Sequence, residues 1–180
     1  TVTHDQEEAF AMSDRVILLH DGQVIQSGHP EDVYSAPANT WVAQFLGLNN
    51  LFSATVFAQQ PPQVATAFGK LRLEESLTLP APGTKGTLLI HPWGIHLEPC
   101  ERERGEAQPG EEGLGISETD GVPNEFNARV ARRTFHGRMY RLTLALPGGM
   151  LHLTCDAGKP QPSVGDIVTG WLAPQALYWL

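Results

Sequence analysis

Arg129, Arg132, Arg133, Arg138 and Arg141 form the only basic cluster of this 180-residue chain. Guanidinium groups present a rigid fork of donors that suits carboxylate and phosphate-like oxygens. The cluster could therefore hold an oxyanion or the acidic surface of another subunit. Nucleic acid is disfavoured as the partner: the net charge is −8, and phosphate binding needs clustered Lys and Arg with aromatics to stack bases. His91 and His96 could ligate a metal, but no third ligand stands nearby in sequence, and structural or solvent-facing roles fit them as well. Trp171 and Trp179 could stack a sugar or simply fill a core. Cys100 and Cys155 have no CxxC partner, so reduced thiols are expected. His4 is followed by Asp5, Glu7 and Glu8; taken alone, it has the composition of an ordinary surface site.

These residues need a scaffold, and two kinds are visible. Residues 1–48 have α/β character. Asp5 to Ser13 suggests a short helix with Glu7 and Glu8 near its positive end. Arg15 to His20 is a mostly apolar run, expected to be a strand buried on both faces. Asp21-Gly22 is a hairpin turn, and Gln23 to Gln26 returns. Pro30 opens a helix running to Ser35. Asn39 or Thr40 caps a second helix bearing Trp41, Val42, Phe45 and Leu46, and Gly47 ends it.

From Asn50 onward the period changes to two. Phe52 to Ala58, Val64 to Leu73 and Thr87 to His91 are predicted strands. Phe126, Ala128 and Val130 alternate with polar or small residues, as do Leu142, Leu144 and Leu146, then Leu151, Leu153 and Cys155. Pro147-Gly148-Gly149 turns between the last two. Ile167 to Leu172 and Ala176 to Leu180 complete the set. Short strands with Gly/Pro turns predict a mainly β fold, a small barrel preceded by the α/β segment. Between Glu101 and Asp120, seven acids and two arginines carry −5 of the net charge. The acidity thus belongs to an expected mobile loop at about 100–122. No apolar run approaches the ~20 residues of a membrane helix, and no signal peptide is present.

The most specific string is Thr1-Val-Thr-His-Asp-Gln-Glu-Glu-Ala9. It resembles the switch-histidine segment of ABC importer ATPases. The continuation is similar to theirs as well: Met12-Ser-Asp-Arg15, an apolar strand, Asp21-Gly22, Gly28-His-Pro-Glu-Asp-Val-Tyr34, Pro37 and Phe45-Leu-Gly47. The remainder resembles the transport-associated OB (TOBE) domain at the level of pattern. Gly165-Asp166, alternating apolar residues, Pro174 and a final apolar strand match its closing pattern. His91, Trp93 and Gly94 depart from the family's Arg-Pro-Glu-Asp-like string, while Pro92 and Ile95 remain.

The resemblance implies that the barrel is OB-like and the α/β segment incomplete, in two parts: residues 1–48 as the end of a nucleotide-binding domain, and 49–180 as a TOBE domain. It implies that His4 is the switch histidine, which in the family steadies charge at the γ-phosphate of ATP. No GxxxxGK[ST] phosphate loop occurs in the sequence, so no ATP hydrolysis is expected of this chain, and it is expected to be a piece of a longer protein. ATP and Mg²⁺ are implied for the full-length parent, and no cofactor for this chain. Implied partners are a second copy and membrane-spanning permease subunits, at the cytoplasmic face of the membrane. Regulation and dimerisation are the implied role. The alternative is an oxyanion- or metal-sensing module, for which Arg129, Arg132, Arg133 and Arg138 would be the surface.

Overall fold

The computed structural model describes residues 10–98, 114–117 and 123–180. The first strands, β1 (Val16–His20) and β2 (Gln23–Gly28), make an antiparallel hairpin. Its turn residues Asp21 and Gly22 both take positive φ, 49° and 75°, as the twist-matched two-residue turn requires. Two short helices follow, α1 (Pro30–Ser35) and α2 (Thr40–Phe45). Asn39 caps α2, its side-chain oxygen accepting from the Val42 N–H at 2.9 Å, which satisfies one of the orphan donors of the first turn.

Only one face of β1 is covered. Val16 and Leu18 are buried, but Ile17 and Leu19 are 58% and 62% exposed. The expectation of a strand buried on both faces therefore fails among the described residues, since nothing lies over its outer side.

The remaining strands are β3 (Leu51–Gln59), β4 (Pro62–Thr66), β5 (Gly69–Arg72), β6 (Lys85–Ile90), β7 (Ile95–Leu97), β8 (Gly115–Ile116), β9 (Glu125–His136), β10 (Met139–Leu146), β11 (Gly149–Asp156), β12 (Ile167–Leu172) and β13 (Leu177–Trp179). The fold is mainly β and OB-like, built as two curled, open half-barrels. Sheet one runs β13-β6-β3-β4-β5, and sheet two runs β11-β10-β9-β12-β7. The orders match position for position. Each half is a three-stranded meander, a fourth strand, a 3-10 turn (Pro92–Gly94 or Pro174–Ala176) and a last strand that crosses to the other sheet. The turns are bound reciprocally: the His91 N–H donates to the Ala176 carbonyl and the Ala173 N–H to the Gly94 carbonyl, each at 2.9 Å.

Alternation puts Phe52, Ala54 and Val56 of sheet one against Phe126, Ala128, Leu142 and Leu144 of sheet two in a single core. β6 is buried on both sides: Leu88 and Ile90 face this core, while Leu89 joins Val33, Val42 and Leu48 in a second cluster. That second cluster seats the amino-terminal elements on the back of sheet one. Where one strand was expected from Val64 to Leu73, the chain makes the β4–β5 hairpin, turning at Gly69 (φ 131°). Within the expected acidic loop, Gly115–Ile116 pairs with β9; its other residues, except 114–117, lie outside the described ones.

Candidate anion-binding cleft

The outward face of β9, β10 and β11 carries a polar grid. Thr143 sits between Arg132 and His152, and Arg141 sits between Thr134 and Thr154. These positions alternate with Leu142, Leu144, Leu151 and Leu153, which are buried in the core, so the same period that fills the barrel aims the polar set outward. A register shift between Thr143 and Leu144 decides which arginines join. It places Arg132 opposite Thr143, and Arg133 opposite the core residue Leu142.

The five arginines consequently part. Arg132 and Arg141 line an open cleft of about 750 Å³, together with Thr134, His136, Thr143, His152 and Thr154. Arg133 lies on the other face, its guanidinium 5.2 Å from the Tyr140 ring centre and donating to the Pro162 carbonyl at 3.0 Å. Arg129 is half-buried and donates to the Gly165 carbonyl at 3.2 Å. Arg138 is exposed at the β9–β10 turn. The threonine and histidine members could have been found from the sequence by one signal: polar residues at every second position opposite the leucines.

The opposite wall is Gly47, Asn49, Asn50 and Pro92, from the end of α2, the start of β3 and the first 3-10 turn. Asn50 is 1% exposed and locked to the β11 backbone at His152, accepting from its N–H at 2.7 Å and donating to its carbonyl at 2.8 Å. Thr143 Oγ1 and His152 Nδ1 lie 3.3 Å apart. Among the described residues no carboxylate lines the cleft, and no described acid forms an ion pair with Arg132 or Arg141. The cleft therefore offers cations, hydroxyls and amides to a ligand.

The other residues singled out from the sequence are placed as follows. His91 is wholly buried; its Nε2 faces the Ser35 carbonyl at 2.9 Å, while its Nδ1 has no partner. Burial lowers its pKa, the Ser35 contact opposing in part. His96 stacks on Trp171 at 4.8 Å, and Trp179 packs against the main core. Among the described residues no group of three or more His, Cys, Asp or Glu could hold a metal ion. Cys155 is a half-buried free thiol whose pKa burial raises. His4 and Cys100 lie outside the described residues. Among the described residues no helix is long and apolar enough to cross a membrane.

No protein-family model matches the sequence. Over 168 residues it is 41% identical to the Fe(3+) ions import ATP-binding protein FbpC of Streptomyces coelicolor, an alignment covering 93% of this chain and 40% of that one. The chain is homologous to ABC-transporter ATP-binding proteins. The spermidine/putrescine import ATP-binding protein PotA of Nitratidesulfovibrio vulgaris is 38% identical over 110 residues, covering 57% of this chain and 28% of that one. The chain thus spans well under half the length of either relative. Among solved structures, the cytoplasmic molybdate-binding protein ModG superposes with a TM-score of 0.49 at 16% identity, covering 73% of this chain and 94% of that one.

Proposed function

We propose that this chain is the carboxy-terminal accessory region of the ATP-binding subunit of an ABC importer, regulating that subunit and holding it to a second copy. Residues 1–48 would close the nucleotide-binding domain and residues 49–180 form the TOBE domain. The observation that carries this reading is an alignment over 93% of the chain with an import ATP-binding protein, joined to a sequence that contains no phosphate loop. In the parent, ATP and Mg²⁺ are bound by segments not present here, and His4 serves at the γ-phosphate. Permease subunits then receive the work of ATP binding, at the cytoplasmic face of the membrane.

Pairing is supported by an apolar surface that no described residue covers. Ile17, Leu19 and Val24 are 58%, 62% and 61% exposed on one hairpin, a cluster of a kind that marks interaction sites. Static light scattering over a wide concentration range tests the pairing, a dimer being expected. A strictly monomeric species at high concentration would overturn it. Calorimetric titration with ATP and Mg²⁺ tests the assignment of catalysis to the parent: no heat of binding is expected, and stoichiometric nucleotide binding would contradict it.

A further inference from the structure

We propose that the cleft between the β9–β11 face and the Gly47–Asn50 segment binds a small molecule carrying two or more anionic oxygen groups, such as a tricarboxylate or a phosphoanhydride. The inference goes beyond pairing and does not depend on it.

The donors come first. On an exposed sheet face, an acid across the strands from an arginine stabilises the sheet. Here the cross-strand neighbours of Arg141 are Thr134 and Thr154, and that of Arg132 is Thr143. Threonine hydroxyls neutralise no charge but can donate to an oxyanion. Both guanidiniums are left without a described carboxylate, in a cleft whose described lining contains none. Arginine forks bind planar carboxylates and phosphoryl groups in two-point fashion.

Two guanidiniums in one roomy cleft favour a ligand with more than one anionic group. Arg132 and Arg141 occupy diagonal positions on neighbouring strands, two residues apart in register, so their backbones are about 7–8 Å apart. At about 750 Å³ the cleft lies in the range of organic-ligand pockets, far above the space a single tetrahedral oxyanion fills. A ligand with two anionic groups would give each guanidinium a partner of its own.

The wall sets the consequence. Asn50 cannot swing away without breaking both bonds to His152, which keeps the cleft open. Gly47 belongs to the amino-terminal segment and Asn49 to the link that leads from it into β3, while Arg132 and Arg141 belong to sheet two. A bound polyanion would therefore tie the segment leaving α2 to the far half-barrel. Occupancy would stiffen the joint between the two parts, making the cleft a place where a metabolite can be read.

Titration calorimetry of this chain with citrate, pyrophosphate and orthophosphate, at matched ionic strength, tests the proposal. Expected is saturable binding of citrate, pyrophosphate or both, at least tenfold tighter than orthophosphate. Arg132→Gln and Arg141→Gln should each weaken it roughly tenfold or more, and Arg138→Gln should leave it unchanged. Citrate alone would identify a polycarboxylate ligand, and pyrophosphate alone a phosphoryl one. Because these side chains are exposed, the unliganded melting temperature of each variant should match wild type, separating lost binding from lost folding. The proposal is overturned if neither polyanion binds, if orthophosphate binds equally well, or if binding survives both cleft substitutions.

Discussion

Asn50 and Asn124 stand at matching places before β3 and β9, and each clasps the edge strand of the opposite half-barrel. Asn50 exchanges two hydrogen bonds with the backbone of His152, at 2.7 and 2.8 Å. Asn124 does the same with Arg72, at 2.7 and 2.8 Å, and donates to the Leu172 carbonyl at 3.1 Å. Each carboxamide imitates one residue of a neighbouring strand, donor and acceptor side by side. Two open sheets are thus joined where backbone pairing stops.

Replacing either asparagine with alanine leaves part-buried backbone groups of the edge strand unpaired. A loss of about 2–3 kcal/mol is expected for each. Asn124 should cost more, because its φ of 60° suits asparagine but strains alanine. Asn124→Gly should recover the strain and not the clasp. Urea denaturation measures all three, and a loss below ~0.5 kcal/mol for Asn124→Ala would show that the clasp contributes little.

His91 should make stability depend on pH. Its folded pKa lies below the ordinary 6.5 because burial disfavours the imidazolium. Between the folded and unfolded values the unfolded chain binds more protons, so the contribution is full above about pH 6.5 and is lost as pH falls through the folded value. Denaturation midpoints at pH 7.5, 6 and 5 should fall more steeply for wild type than for His91→Leu, whatever the variant's starting stability. Parallel profiles would count against a neutral buried ring.

Gly94 and Ala176 occupy matching places in the two 3-10 turns, and there is room for one methyl group between them. A Cβ at Gly94 would collide with that of Ala176. Gly94→Ala is expected to cost about 1–3 kcal/mol through overpacking. Adding Ala176→Gly, which moves the methyl to the other turn, should return much of it. Thermal melts of the single and double variants decide: additive losses would mean the turns do not share the space.

The exposed hairpin face should behave unlike the core beneath it. Leu19→Lys and Val24→Lys should change stability by less than ~0.5 kcal/mol while lowering self-association in light scattering. Leu48→Ala, at a site 1% exposed, should cost about 2–5 kcal/mol. Unchanged association in both lysine variants would move the pairing surface elsewhere.

Much of the fold was legible from local pattern. The alternation at Phe126–Val130, Leu142–Leu146 and Leu151–Cys155 assigned strands and their inner faces, because side-chain parity is a property of the strand itself. Asp21-Gly22, Pro30, Asn39 and Gly47 marked turns and helix ends through backbone preferences that need no distant partner. The string around His4 carried the family likeness without any structure. Tertiary structure alone decided the rest. That β7 and β13 change sheets, and that Asn50 and Asn124 clasp foreign edges, depends on pairings between residues far apart in sequence. Arg132 and Arg133, as consecutive strand residues, face opposite ways in any register; which of the two joins the cleft follows from a single register shift against β10. Composition located the basic cluster, and only the pairing of β9 with β10 determined which of its charges share a cleft.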